Sequence, residues 1–174
     1  MDYQALLKAH KKKPLADLEG LFRLSLGRDA IMQIIPQRDP ILYVDRLTGV
    51  DCDAGIIAGQ RRIDPADPVF PGHFPGYPVY PGSYTVEMIG QLGLCLYYFM
   101  EHKTTAIASD AKPLPLRATR ILGTLFAEPI LPGAVVTLIA KKLEFDGFLA
   151  TAIGQALVDG KVACVSIGEV AFLN

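Results

Sequence analysis

Hydrophobic and polar positions divide the chain into three regimes. Over residues 2–30 the apolar side chains recur at helical spacing. Tyr3, Leu6 and Leu7 come first, and Lys11-Lys12-Lys13 and Pro14 interrupt them. Leu15, Leu18, Leu21, Phe22 and Leu26 then follow. This spacing predicts two short amphipathic helices, the second stopped near Gly27, which pack an apolar stripe on the body or across a subunit interface. Over 41–50 the alternation and β-branched content predict a strand, paired through a turn at 51–54 with a second strand over 55–63. Beyond Leu116 the pattern predicts four strands, over 117–128, 134–145, 148–158 and 161–172. Asp146-Gly147 and Asp159-Gly160 are two-residue hairpin signals. Pro132-Gly133 is expected to turn the first of the four directly into the second, giving an antiparallel meander.

The middle regime, 64–100, has two unlike halves. Pro65, Pro68, Pro71, Pro75, Pro78 and Pro81, with Gly72, Gly76 and Gly82 between them, predict an extended, stiff loop, because proline restricts both itself and the residue before it. From Pro81 to Met100 the prolines stop and the run is apolar on all sides, which predicts a buried helix. Gly90 and Gly93 within it are expected to let a sheet wrap closely against the helix. The segment 102–115 has little pattern and is expected to flank whatever channel the helix borders. Strand, strand, buried helix and four strands make an α+β layout, with a sheet packed on one face by one long helix. A chain of 174 residues is most simply one such body. We divide it into an N-terminal helical extension, 1–30, and a main domain, 31–174.

Two side chains in the middle regime carry candidate chemistry. His73 is the one imidazole in the stiff loop, and alone it reads as a turn-capping histidine. Glu87 lies in the second turn of the helix, with Tyr84 three residues before and Gln91 four after on the same face. Alone it reads as a hydrogen-bonded structural carboxylate. Together they suit a general base and a general acid, and burial would favour the protonated form that an acid needs. The helix start adds unpaired N–H groups and a positive dipole end, suited to a carbonyl oxygen that gains charge.

Composition narrows the alternatives. Lys and Arg number 17 against 18 Asp and Glu, so bulk affinity for nucleic acid is not expected. The apolar run over 88–100 is too short to span a membrane, and the N-terminus has no apolar core before a cleavage site. Cys52, Cys95 and Cys164 read as reduced thiols of a cytoplasmic protein. His10, His73 and His102 show no metal-ligand spacing, and no glycine-rich nucleotide loop occurs.

Phe70-Pro71-Gly72-His73-Phe74-Pro75, then Pro78-Val79-Tyr80-Pro81-Gly82, then Glu87 and Gln91, resemble the signature of the β-hydroxyacyl-acyl carrier protein dehydratases, and more narrowly the FabZ-type enzymes. The segments 34–46 and 126–133 are similar to that family's first-strand motif and to its strand-and-turn after the helix. The likeness spans roughly 31–173. Gln37 stands where a histidine is usual and Tyr80 where methionine is common. Both departures bear on access to the substrate channel. Glu87, where the isomerase-competent branch has aspartate, argues for dehydration alone.

The resemblance implies a hot-dog fold, in which a long antiparallel sheet wraps the central helix. It implies elimination of water from a 3-hydroxyacyl thioester to a trans-2-enoyl thioester, in fatty-acid or related polyketide or polyene synthesis. His73 would take the C2 proton and Glu87 would protonate the departing hydroxyl. The Gly82 N–H would hold the thioester carbonyl, and Gln91 would orient Glu87. Phe74, Tyr80 and Tyr84 would shape the channel. No cofactor or metal is implied, because the substrate rides on the phosphopantetheine arm of an acyl carrier protein. That partner's acidic face would suit Arg61, Arg62, Arg117 or Arg120. The histidine and the acid would come from different subunits of a homodimer, alone or within a trimer of dimers. Two other readings of the same fold are an acyl thioesterase and a non-catalytic acyl-binding or scaffold protein.

Overall fold

The long apolar run folds into one helix, α3 (Gly82–His102), and the strands wrap around it. The structure is a computed structural model and describes residues 1–173. Before α3 come α1 (Tyr3–Ala9), β1 (Phe22–Gly27), α2 (Arg28–Ile34), β2 (Arg46–Asp51) and β3 (Ile56–Arg62). After it come β4 (Leu116–Phe126), β5 (Val135–Phe145), β6 (Leu149–Val158) and β7 (Lys161–Phe172). The strands form one seven-stranded antiparallel sheet in the order β1-β2-β3-β5-β6-β7-β4. The α+β layout expected from the pattern is the one observed.

Met88, Leu92, Cys95, Leu96 and Phe99 of α3 are fully buried against Leu47, Ile57 and Leu138 of the sheet. Each such side chain removed from water contributes about 1.5–3 kcal/mol, and that gain holds the sheet on the helix. The close approach comes from glycines of the sheet. A Cβ on Gly154 would lie 2.4 Å from Ile89 Cγ2, and one on Gly59 would lie 2.9 Å from Leu92 Cδ1. Gly90 and Gly93 were expected to serve this purpose from the helix side, and they do not. A Cβ on either would meet nothing within 4 Å, because both face open space.

A second apolar cluster, on the opposite face of the sheet, joins Leu7 to Ile139, Ile153, Leu157, Val165 and Ile167, with Leu15 and Leu18 against it. Here α1 forms as expected, capped by the Asp2 side chain on Ala5 N–H. The second expected helix does not form. Residues 22–27 are instead an edge strand paired with β2, from Phe22 opposite Val50 to Gly27 opposite Arg46. The unpaired edge of β2 supplies backbone partners that outweigh the helical spacing of the leucines. Upstream, the fully buried Gln155 on β6 accepts from Leu15 N–H at 2.8 Å and donates to His10 O at 2.6 Å and Lys13 O at 2.8 Å. These three bonds hold the lysine run to the sheet.

A further correction concerns β4, which was expected to turn directly into β5. It pairs only with β7, while β5, β6 and β7 form the meander through the two Asp-Gly turns. The 127–134 connection runs across the molecule. Ala127 and Glu128 donate their N–H groups to Ala163 O, Ile130 O accepts from Tyr80 N–H, and Gly133 N–H reaches Ile63 O. Pro129 and Pro132 lack the donors that a hairpin ladder would use. The connection thereby closes the sheet over the N-terminal end of α3, and β4 is left as a sheet edge.

Candidate active site

The proline loop reaches rigidity through turns, not through the extended course expected of it. Asp67 N–H bonds to Asp64 O, Phe70 N–H to Asp67 O, and His73 N–H to Val69 O. Phe74 and Tyr77 exchange backbone bonds across Gly76, whose φ of +77° suits glycine. Tyr80 N–H to Ile130 O, at 2.8 Å, then fastens the loop to the 127–134 connection.

His73 is held twice by Val79. Its backbone carbonyl accepts from Val79 N–H at 3.0 Å, and its Nδ1 lies 2.9 Å from Val79 O. A carbonyl only accepts, so Nδ1 bears the proton and Nε2 keeps a lone pair. The half-buried ring stacks on Phe74, with centroids 4.0 Å apart. Such an imidazole can accept a proton at Nε2 without turning.

His73 borders a cavity of about 370 Å³, together with Tyr80, Gly82, Thr85, Phe126 and Glu128. Gly82 is the first residue of α3, so its N–H lies ahead of the intrahelical ladder at the positive end of the helix. A Cβ there would lie 2.6 Å from the Phe126 ring, so the position requires glycine unless that ring moves. Tyr80 is buried, and burial pushes its phenol up to about 12. Its ring meets Tyr84 edge-on at 5.8 Å, and Tyr84 stacks on Tyr43 at 5.2 Å. Phe74 is exposed beside His73.

Glu87 was expected to be buried, and the structure corrects this. It is exposed, on a stripe of α3 with Ser83 and Gly90 that the sheet leaves uncovered. Gln91, 1 % exposed, holds it from below: Nε2 donates to Glu87 Oε1 at 2.8 Å and to Ile41 O at 2.7 Å, and Oε1 accepts from Tyr43 N–H at 2.7 Å. Glu87 borders a separate cavity of about 160 Å³ that runs along α3 past Gly90 and Gly93 to Tyr97, beneath β4, β6 and β7. The fold thus brings Glu87 to Gln91 and brings His73 to Gly82 and Tyr80. Within one chain the histidine and the glutamate border different cavities.

Two arginines considered for partner docking are already engaged. Arg61 bonds Asp45 at 2.8 Å and lies 5.7 Å from the Tyr43 ring centroid. Arg28 bonds the same Asp45 oxygen at 3.1 Å and reaches Asp39 as well, tying the 38–46 segment to the sheet. Arg120 forks onto Glu169 at 2.9 and 2.6 Å, and Thr119 adds a hydroxyl at 2.7 Å. The guanidinium and hydroxyl hold the Glu169 carboxyl below its ordinary range. Arg62 and Arg117 remain exposed. The bond from Tyr43 N–H to Gln91 and the fork on Glu169 join residues about fifty positions apart, a spacing that no local sequence signal marks.

Comparison with known proteins gives consistent matches. Residues 35–166 match the FabA-like domain family. The chain is 34 % identical over 149 residues to the 3-hydroxyacyl-[acyl-carrier-protein] dehydratase FabZ of Bacillus licheniformis, covering 83 % of this chain and 97 % of that one. It is 35 % identical over 133 residues to FabZ of Campylobacter jejuni, covering 76 % and 87 %. Among solved structures it resembles the dehydratase heterocomplex ApeI:P from Xenorhabdus doucetiae, with a TM-score of 0.61 at 16 % identity over 83 % of this chain and 91 % of that one. It also resembles a thioesterase variant from Pseudomonas aeruginosa, with a TM-score of 0.57 at 14 % identity over 94 % and 98 %. At these identities the structures establish a shared hot-dog architecture and nothing about chemistry.

Proposed function

The chain belongs to the FabA-like domain family and, within it, to the FabZ-type dehydratases, and from that premise we propose how its residues eliminate water from a 3-hydroxyacyl thioester. The substrate arrives on the phosphopantetheine arm of an acyl carrier protein. The thioester carbonyl accepts from the Gly82 N–H at the start of α3, which stabilises the charge that forms as C2 loses its proton. His73 Nε2 takes that proton. Protonated Glu87 gives its proton to the C3 hydroxyl, the C3–O bond breaks, and water leaves. The C2–H electron pair becomes the new double bond of the trans-2-enoyl thioester. Histidine then returns its proton and the carboxyl is reprotonated, so no cofactor is consumed.

The observation that supports this reading best is the hold on His73. The Val79 carbonyl fixes the tautomer that leaves Nε2 free to act as a base. Gln91 supports Glu87 in the same way, by presenting an amide donor to one carboxyl oxygen and leaving the other free.

The working unit we propose is a two-fold dimer in which His73 of one subunit meets Glu87 of the other. Three features support it. His73 and Glu87 border different cavities within one chain. The Glu87 stripe of α3 lies open. Alongside it, β4 is a free sheet edge with Ile121 67 % exposed and Phe126 59 % exposed. Two β4 edges meeting about a two-fold axis would continue the sheet and cover the stripe. Such a cover would enclose the Glu87 carboxyl together with the His73 ring of the other subunit.

Hydration of crotonyl-acyl carrier protein, the reverse reaction, tests the assignment. A gain of one water by mass supports it, and release of free crotonic acid would support the thioesterase reading instead.

A further inference from the structure

The cavity that begins at Glu87 ends at Tyr97. The two residues lie ten positions apart on α3, about 15 Å at the helical rise. The walls between them are mostly small or apolar, with Gly90 and Gly93 on the helix and Ala150, Gly154 and Gly168 on β6 and β7; Ser166 and the paired Arg120 and Glu169 are the polar exceptions. Gly90 and Gly93 withhold side chains that would have filled the space. Tyr97 is the one large aromatic residue bordering the cavity, and it is 5 % exposed.

Tyr97 also borders a second cavity, of about 200 Å³, with Met100, Glu101, Lys142, Phe145 and Phe172. Its ring meets Phe172 edge-on at 5.7 Å, and Phe172 packs against Phe145 at 5.0 Å. The tyrosine therefore stands as a partition between a chamber walled mostly by small and apolar residues, with the Arg120–Glu169 pair in its wall, and one bordered by Glu101, Lys142 and two phenylalanines. Its hydroxyl is buried and has no hydrogen-bond partner among the described residues.

We propose that Tyr97 is the floor of the acyl-tail pocket and sets the longest acyl chain the protein accepts. This rests on the dehydratase reading above. In that reading C3 sits at Glu87 and the thioester end lies toward His73 and Gly82 of the second subunit. The tail beyond C3 has the Glu87 cavity to enter, and the Gly90–Gly93 side of α3 to run along. A tail that reaches Tyr97 meets the ring flank and an unpaired hydroxyl. Growing past it would require displacing a ring wedged against Phe172.

The test is the chain-length profile of kcat/KM for hydration of trans-2-enoyl-acyl carrier proteins, from crotonyl upward, in wild type, Tyr97→Ala, Tyr97→Phe and Gly93→Leu. Removing the ring joins the two cavities. Tyr97→Ala is therefore expected to move the cutoff to longer chains and raise the long-to-short ratio by about tenfold or more, the usual worth of a methylene in an apolar pocket. Tyr97→Phe keeps the ring and is expected to keep the wild-type cutoff. Gly93→Leu fills the pocket from the helix side and is expected to move the cutoff to shorter chains. It adds no clash at Cβ and favours the helix, so it remains informative if Tyr97→Ala fails to fold. Superimposable profiles for wild type, Tyr97→Ala and Gly93→Leu would overturn the proposal, as would a Tyr97→Phe profile shifted as far as that of Tyr97→Ala. A wild-type protein that hydrates no chain length would overturn the dehydratase reading itself, and the role of Tyr97 with it.

Discussion

Gln91 Nε2 donates to Glu87 Oε1 at 2.8 Å while Gln91 Oε1 accepts from Tyr43 N–H at 2.7 Å, so a single buried amide ties the candidate acid to the segment that leads into β2. Its second donor contact, to Ile41 O, leaves the amide no freedom to flip, because a flipped amide would set its oxygen against a carbonyl and its nitrogen against an N–H donor. The orientation of Glu87 is thereby decided by backbone groups more than forty residues upstream.

Replacing Gln91 with leucine removes this tie at nearly constant volume. The buried Tyr43 N–H loses its partner, which is expected to cost about 1–3 kcal/mol, while Ile41 O, on an exposed residue, can turn to water. Enoyl hydration is expected to fall by about 10- to 100-fold, mainly in kcat, because the acid is misdirected and not removed. Urea unfolding and steady-state kinetics on the same sample separate the two effects.

Subunit complementation tests whether each site draws on two chains. His73→Ala and Glu87→Gln are each expected to be nearly inactive as homodimers. Mixed dimers contain one site with both native groups, so co-expression is expected to restore a substantial part of the wild-type rate. If both groups of a site came from one chain, the mixture would stay as inactive as its parents.

The glycines of sheet and helix are expected to respond oppositely to alanine. Gly154→Ala would set a Cβ 2.4 Å from Ile89 Cγ2 and 3.1 Å from Ile139 O, and is expected to destabilise by about 1–3 kcal/mol. Gly93→Ala meets open space in a helix interior and is expected to stabilise by about 0.5–1 kcal/mol. Thermal melts of the two variants against wild type are sufficient to compare them.

Glu169 links stability to acid pH. Arg120 and Thr119 hold its folded-state pKa below the ordinary value of 4.5. A depressed carboxylate contributes stability that is fully present above its unfolded value and is lost as pH falls through the folded one. Glu169→Gln is therefore expected to be less stable than wild type at neutral pH. The gap should close as denaturation is repeated at pH values descending below 4.5. A gap that stayed constant with pH would assign the effect to packing.

The elements legible in the sequence were those specified by nearby residues. The α3 helix starts at Pro81-Gly82, and β5, β6 and β7 are joined by Asp-Gly turns, so each boundary had a local chemical cause. The errors lie where a distant partner decides. The leucines over 15–26 have helical spacing, but the free edge of β2 takes Phe22–Gly27 as a strand and Gln155 captures the backbone before it. For β4 the pattern predicted a strand but not its neighbour, β7, whose paired residues run from Leu116 opposite Phe172 to Phe126 opposite Cys164. Within the candidate site, His73, Gly82, Glu87 and Gln91 were legible as residues because the loop and the helix are contiguous in sequence. That Glu87 lies on the uncovered stripe, and that Arg61 is taken by Asp45, depends on how the sheet closes.

The central claim is that His73 and Glu87 together perform reversible dehydration. The measurement that tests it most directly is hydration of crotonyl-acyl carrier protein and longer enoyl homologues, followed by intact mass, for wild type, His73→Ala and Glu87→Gln. The account predicts one added water with wild type and a loss of about 100- to 10,000-fold in each variant. Free acid in place of the hydroxyacyl thioester, or hydration that survives either substitution, would contradict it.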